Sequence, residues 1–132
     1  NAWCAMFVSW CAHYAGITDT LVPKYSWCPS GVSWYKSKGR YHVSGNGYVP
    51  KIGDIIFFYN AQAGRVSHTG IVIDGTTTHV STIEGNSSDG VRHKIYNLTD
   101  SSIDGYGDNG GTPIHSNKPH ATEDEINLKM KE

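Results

Sequence analysis

The sequence predicts an α+β fold, with N-terminal helices packed on an antiparallel β-sheet meander. Three observations predict it. Cys4, Val8, Cys11, Ala12 and Ala15 form one stripe at helical spacing near the start of the chain. An unbroken apolar run, Ile55-Ile56-Phe57-Phe58-Tyr59, follows the turn signal Gly53-Asp54 and reads as a strand buried on both faces. The hairpin signal Asp74-Gly75 then separates two strand-like stretches.

Each element has a local reason. Residues 2 to about 15 read as a helix, with Asn1 as N-cap and Gly16 as its stop. Its small residues would let it lie close against a sheet, with Cys4 at the end of that interface. Residues 17–29 are a loop. A second short helix is predicted from Ser30, as its cap, to about Lys38, stopped by Gly39. Residues 40–52 read mostly as loop. Strands are predicted at Ile55–Tyr59, His68–Ile73, Thr78–Glu84 and Val91–Tyr96, with a turn over Gly85–Gly90. From Gly105 the character changes, and Gly107–Pro113 reads as an exit. The expected division is a domain over 1–106 and a polar linker or tail over 107–132. No internal repeat is evident.

Composition narrows the function classes. A chain of 132 residues with 38% hydrophobic residues supports one core. Fifteen Gly, eight Tyr and four Trp suit a loop-rich, β-rich extracellular domain better than a helical bundle. The formal charge is −1 and the basic residues are scattered, which excludes an electrostatic footprint for nucleic acid or an anionic membrane. No stretch approaches the ~18 apolar residues of a membrane span. The chain opens without Met, three residues before its first cysteine, so its N-terminal edge is expected to be truncated. Of the three cysteines, Cys11 and Cys28 could pair and leave Cys4 free, or all three could be reduced; both arrangements stay open. The absence of a CxxC pair argues against structural zinc.

Four residues carry candidate chemistry. Cys4 sits in the first turn of the predicted helix, where unpaired N–H groups and the macrodipole favour thiolate, the nucleophilic form. A tight loop at Gly75-Thr76-Thr77 would place Asp74 opposite Thr78, Val72 opposite Val80, Gly70 opposite Thr82 and His68 opposite Glu84. Residues two apart share a face, so an imidazole and a carboxylate meet at the open end of the hairpin. Gly70 leaves room beside them. Cys4 is then a candidate nucleophile, His68 its base and Glu84 the acid that orients the base. Asn86, two residues on, is a candidate to orient His68 or polarise a substrate carbonyl. His13, His42, His79, His93, His115 and His120 have no comparable partner in the sequence and read as surface or packing residues.

Trp3-Cys4-Ala5-Met6-Phe7-Val8-Ser9-Trp10, Gly53-Asp54-Ile55-Ile56-Phe57-Phe58, Ser67-His68-Thr69-Gly70-Ile71-Val72 and Ile83-Glu84-Gly85-Asn86, in this order, resemble a CHAP domain. That family comprises cysteine- and histidine-dependent amidohydrolases and peptidases, related to the NlpC/P60 group of the papain-like superfamily. The resemblance covers roughly residues 2–106. It implies a papain-like fold and hydrolysis of amide bonds in bacterial peptidoglycan, with catalytic roles for Cys4, His68, Glu84 and Asn86. It implies that the backbone N–H of Cys4 is one oxyanion donor. It also implies a secreted or wall-associated protein of bacterial, phage or mobile-element origin, such as an endolysin or autolysin, expected to act as a monomer. The mechanism requires no cofactor. Some members bind calcium through acidic residues ahead of the cysteine; here such a site would fall in sequence before Asn1. Tyr25, Trp27 and Trp34 are candidates to line the groove. Cleavage as an endopeptidase is slightly preferred over cleavage as an N-acetylmuramoyl-L-alanine amidase. A non-catalytic wall-binding module and a papain-like acyltransferase are the alternative readings.

Overall fold

A computed structural model describes residues 28–86 and 90–115. Among these described residues, one helix, α1 (Cys28–Ser37), is followed by six strands: β1 (Tyr41–Val43), β2 (Ile55–Asn60), β3 (Arg65–Gly75), β4 (His79–Asn86), β5 (Gly90–Asn97) and β6 (Ile103–Gly107). All adjacent pairs are antiparallel, in the spatial order β1-β6-β2-β3-β4-β5. The predicted α+β class with an antiparallel meander is present in β2 to β5, and α1 packs on the sheet. The helix predicted over residues 2–15 lies outside the described residues.

α1 begins two residues earlier than its predicted cap. Pro29 falls in the first turn, where a missing N–H costs nothing. The stop is as predicted: Gly39 adopts φ 68°, and Arg40 N–H donates to Tyr35 O at 2.9 Å while Gly39 N–H donates to Lys36 O at 3.0 Å. These bonds close the last turn in a left-handed cap that favours glycine.

The run Ile55-Ile56-Phe57-Phe58 is buried throughout, as its lack of polar alternation predicts. Ile55 and Phe57 join Cys28, Val32, Tyr35 and Val66 in a core beneath α1. Ile56 and Phe58 point the other way and join Val72, Val80, Ile103 and Tyr106. Each of the four contributes about 2 kcal/mol through burial, which makes β2 the hinge of both layers.

Two strands lie where the sequence reading has none. β1 falls in the stretch read mostly as loop. β6 returns from the far end of the meander to insert between β1 and β2, pairing Gly107 with both Tyr41 and Ile55. The segment read as the exit from the domain is docked on it. Ile114 N–H donates to Pro50 O at 2.9 Å, Ile52 N–H donates to Thr112 O at 2.8 Å, and Asn109 Nδ2 donates to Gly53 O at 2.9 Å.

This docking surrounds Asp54. Its buried carboxylate accepts from Tyr48 Oη at 2.8 Å, Lys51 N–H at 2.9 Å and Asn109 N–H at 3.4 Å. Nearby, Lys51 Nζ lies 3.0 Å from Asp108 Oδ2 and His42 Nε2 lies 3.3 Å from the same oxygen. His42 also stacks on Tyr48 at 3.8 Å. It is therefore a partnered residue of this cluster, which sequence spacing does not reveal.

Burial pushes the Asp54 carboxyl up to about 6 from its ordinary 3.8, against the hydrogen bonds from Lys51, Tyr48 and Asn109. The native state then binds this proton more tightly than the unfolded chain. Its ionisation penalty is present above pH 6 and is relieved as pH falls through 6 toward 3.8, a gain of about 3 kcal/mol. Urea unfolding from pH 7 to pH 4 is expected to show wild type gaining most of that amount on Asp54→Asn. A constant gap between the two would remove burial as the controlling factor.

Candidate active site

The site is assembled from two strands and two irregularities. In β2–β3, Phe58 pairs with His68, and the register then shifts so that Tyr59 pairs with Val66. Ser67 is the extra residue of this bulge. Bulges re-aim side chains, and this one breaks the alternation: Val66 joins the core under α1, while His68 stands on the opposite face beside Phe58, at 5.3 Å between rings.

The hairpin register differs from its predicted form. Val72 pairs with Thr82 and Ile71 with Ile83, and a second bulge lies between Val72 and Asp74, which pairs with Ser81. Val72 is thus two residues out from its predicted partner Val80. A two-residue offset preserves the face, because side chains alternate with period 2. His68 and Glu84 therefore still share a face, as diagonal neighbours rather than directly opposed ones. Diagonal neighbours on one face lie about 7–8 Å apart, within reach of long side chains. Continuing the register sets Gly70 across from Glu84, and a Cβ on Gly70 would lie 2.7 Å from Glu84 Cγ. Any side chain at residue 70 would displace the carboxylate.

The predicted pair forms. His68 Nε2 and Glu84 Oε1 are hydrogen-bonded, with the imidazole one-third exposed and the Glu84 side chain 4% exposed. Thr82 Oγ1 and Tyr96 Oη each donate to Glu84 Oε2 at 2.6 Å. Burial alone would raise this carboxyl. The bonds from His68, Thr82 and Tyr96, with the charge of His68, outweigh it and hold Glu84 below the usual carboxylate range. The group is thus a carboxylate at neutral pH, able to fix the imidazole and to stabilise imidazolium.

Cys4 lies outside the described residues, as does the side chain of Asn86; the Asn86 backbone closes β4 opposite Gly90. Tyr25 and Trp27 also lie outside. Trp34 does not line this site. It is part of α1 and packs edge-on against Tyr35 at 5.1 Å, against the core on the other face of the sheet from His68. Sequence reasoning missed Tyr96 and Thr82. Thr82 was legible as a same-face neighbour of Glu84, whereas Tyr96 needed the β4–β5 register. Among the described residues, no three His, Cys, Asp or Glu side chains converge as metal ligands, and no helix is long and apolar enough to cross a membrane.

Comparison with known proteins bears on what this pair belongs to. The family model for the CHAP domain matches residues 1–86, a span that holds Cys4, His68, Glu84 and Asn86. Domains of this family are in general cysteine- and histidine-dependent hydrolases of the amidase and peptidase type, acting on peptidoglycan. No curated protein matches the chain. With well over half of its length matched, and a histidine and a carboxylate joined on one sheet face, the chain belongs to the CHAP domain family.

Proposed function

We propose that this chain hydrolyses an amide bond in the stem peptide or cross-bridge of bacterial peptidoglycan through a Cys4 thioester. The observation that carries the reading is the His68–Glu84 pair, in which a buried carboxylate holds one nitrogen of a partly exposed imidazole. With Nε2 committed to Glu84, Nδ1 is the nitrogen that exchanges protons with Cys4.

The reaction runs in two halves. His68 takes the Cys4 proton, and the sulfur attacks the amide carbon. The developing oxyanion is met by the backbone N–H of Cys4. The C–N bond breaks as His68 returns the proton to the departing amine, leaving a thioester. Water then gives a proton to His68 and attacks the thioester carbon. The carboxylic acid leaves and the thiol is restored. Glu84 stabilises the imidazolium in both halves, Asn86 orients His68 or polarises the substrate carbonyl, and no cofactor takes part. This chemistry suits a monomeric enzyme acting in the wall, secreted or wall-associated.

Endopeptidase cleavage is the preferred form. The test is mass spectrometry of fragments released from purified peptidoglycan, with Cys4→Ala alongside. New alanyl or glycyl amino termini identify an endopeptidase, and glycan freed of peptide identifies an amidase. Absence of Cys4-dependent release overturns the hydrolase reading in favour of a wall-binding module. Loss of the base is expected to cost about 10³-fold in kcat for His68→Ala. Glu84→Gln, which keeps an acceptor for His68, is expected to cost less. Equal losses in a single assay would mean that the carboxylate charge itself is required.

A further inference from the structure

The Glu84 carboxylate has two oxygens with different partners. Oε1 meets His68 Nε2, while Oε2 accepts from Tyr96 Oη and Thr82 Oγ1, both at 2.6 Å. These are charge-assisted bonds to a buried anion, the stronger class of hydrogen bond. They come from different strands. Thr82 precedes Glu84 by two residues on β4 and so shares its face, whereas Tyr96 is on β5, opposite Val80. Phe58 packs against both Tyr96 and His68, with its ring 4.8 Å from the first and 5.3 Å from the second. Gly70 supplies the remaining space, since a Cβ there would meet Glu84 Cγ.

We infer that Tyr96 and Thr82 are positioning residues for the catalytic pair: their hydroxyls saturate Glu84 Oε2 and reserve Oε1 for His68 Nε2. The inference rests on His68 being the base of the reaction proposed above. A carboxylate can turn about its Cγ–Cδ bond and exchange its oxygens. Two donors on one oxygen remove that freedom, because turning would leave both hydroxyls and a buried oxygen unsatisfied. The imidazole is then aimed by a fixed acceptor. Burial and the bond to Glu84 push the Tyr96 phenol well above its ordinary value of 10, so it remains a donor across the working range. Among the described residues, the titratable neighbours of Glu84 are His68 on β3, Tyr96 on β5 and Arg92, which β5 sets opposite Glu84 in register.

The experiment uses the full chain in four forms: wild type, Tyr96→Phe, Thr82→Val and Thr82→Ser. The Glu84 carboxyl carbon is titrated by ¹³C NMR, and kcat and KM are measured against pH on soluble peptidoglycan fragments. Tyr96→Phe and Thr82→Val each remove one donor while keeping the side-chain shape. Each is expected to raise the Glu84 midpoint by about one pH unit and to lower kcat about tenfold at unchanged KM. Thr82→Ser keeps the hydroxyl and is expected to match wild type in both. A midpoint that stays in place overturns the inference, as does a midpoint that moves while kcat holds. Wild-type protein without Cys4-dependent turnover would instead sink the hydrolase reading, and the titration would then decide alone whether the two hydroxyls hold the carboxylate.

Discussion

Cys4→Ala is expected to reduce fragment release from peptidoglycan by about four orders of magnitude or more. A methyl group cannot form the acyl intermediate, and the other members of a nucleophile–base–acid unit do not compensate for its loss. The melting temperature is expected to stay near that of wild type, which separates lost chemistry from lost fold. The same cysteine has a chemical signature that needs no substrate. Iodoacetamide traps thiolate, so alkylation of Cys4, located by peptide mapping, is expected well below pH 8.5, the ordinary thiol value. His68→Ala should move that reaction toward pH 8.5, because the ion-pair partner is gone. Full activity in Cys4→Ala would falsify the thioester route. Ordinary alkylation in wild type would remove the poised nucleophile.

Gly107→Ala is expected to destabilise the fold by about 3 kcal/mol, the upper end for a side chain forced into a packed core. A Cβ at this position would lie 2.3–2.6 Å from three ring atoms of Tyr35. The ring cannot readily yield. Tyr35 is fully buried, its hydroxyl donates to Asn109 Oδ1 at 2.9 Å, and its ring meets Phe57 edge-on at 6.1 Å. The backbone is held as well, since Gly107 pairs with β1 on one side and β2 on the other. For a chain of this size the loss corresponds to a drop of about 10 °C in melting temperature. Repeating the substitution in a Tyr35→Leu background should cost less, and the difference measures the coupling of the two positions. Equal costs in both backgrounds would place the strain elsewhere.

Local pattern and order were enough for several conclusions. The Ile55–Phe58 run has no polar alternation, so it had to be buried on both faces, and it is. Gly39 had to end α1, because the chain there needs a left-handed residue. The family follows from four short motifs in order, and its model matches residues 1–86. The shared face of His68 and Glu84 was also legible, since period 2 determines parity even when the register is two residues out. Register itself was not legible. It depends on two bulges, at Ser67 and beside Asp74, whose positions are settled by which side chains can pack and not by local preference. β6 was missed for a similar reason. Gly105 and Gly107 look like strand breakers, yet the rings of Tyr41 and Tyr35 occupy the space their side chains would need. Tyr96 became visible as a partner of Glu84 only once β4 and β5 were paired, whereas Thr82 already shared its strand and face. Local sequence thus determined the family and the face that His68 and Glu84 share. Tertiary packing decided how the carboxylate is held, because a buried anion takes its partners from whatever strands the fold brings beside it.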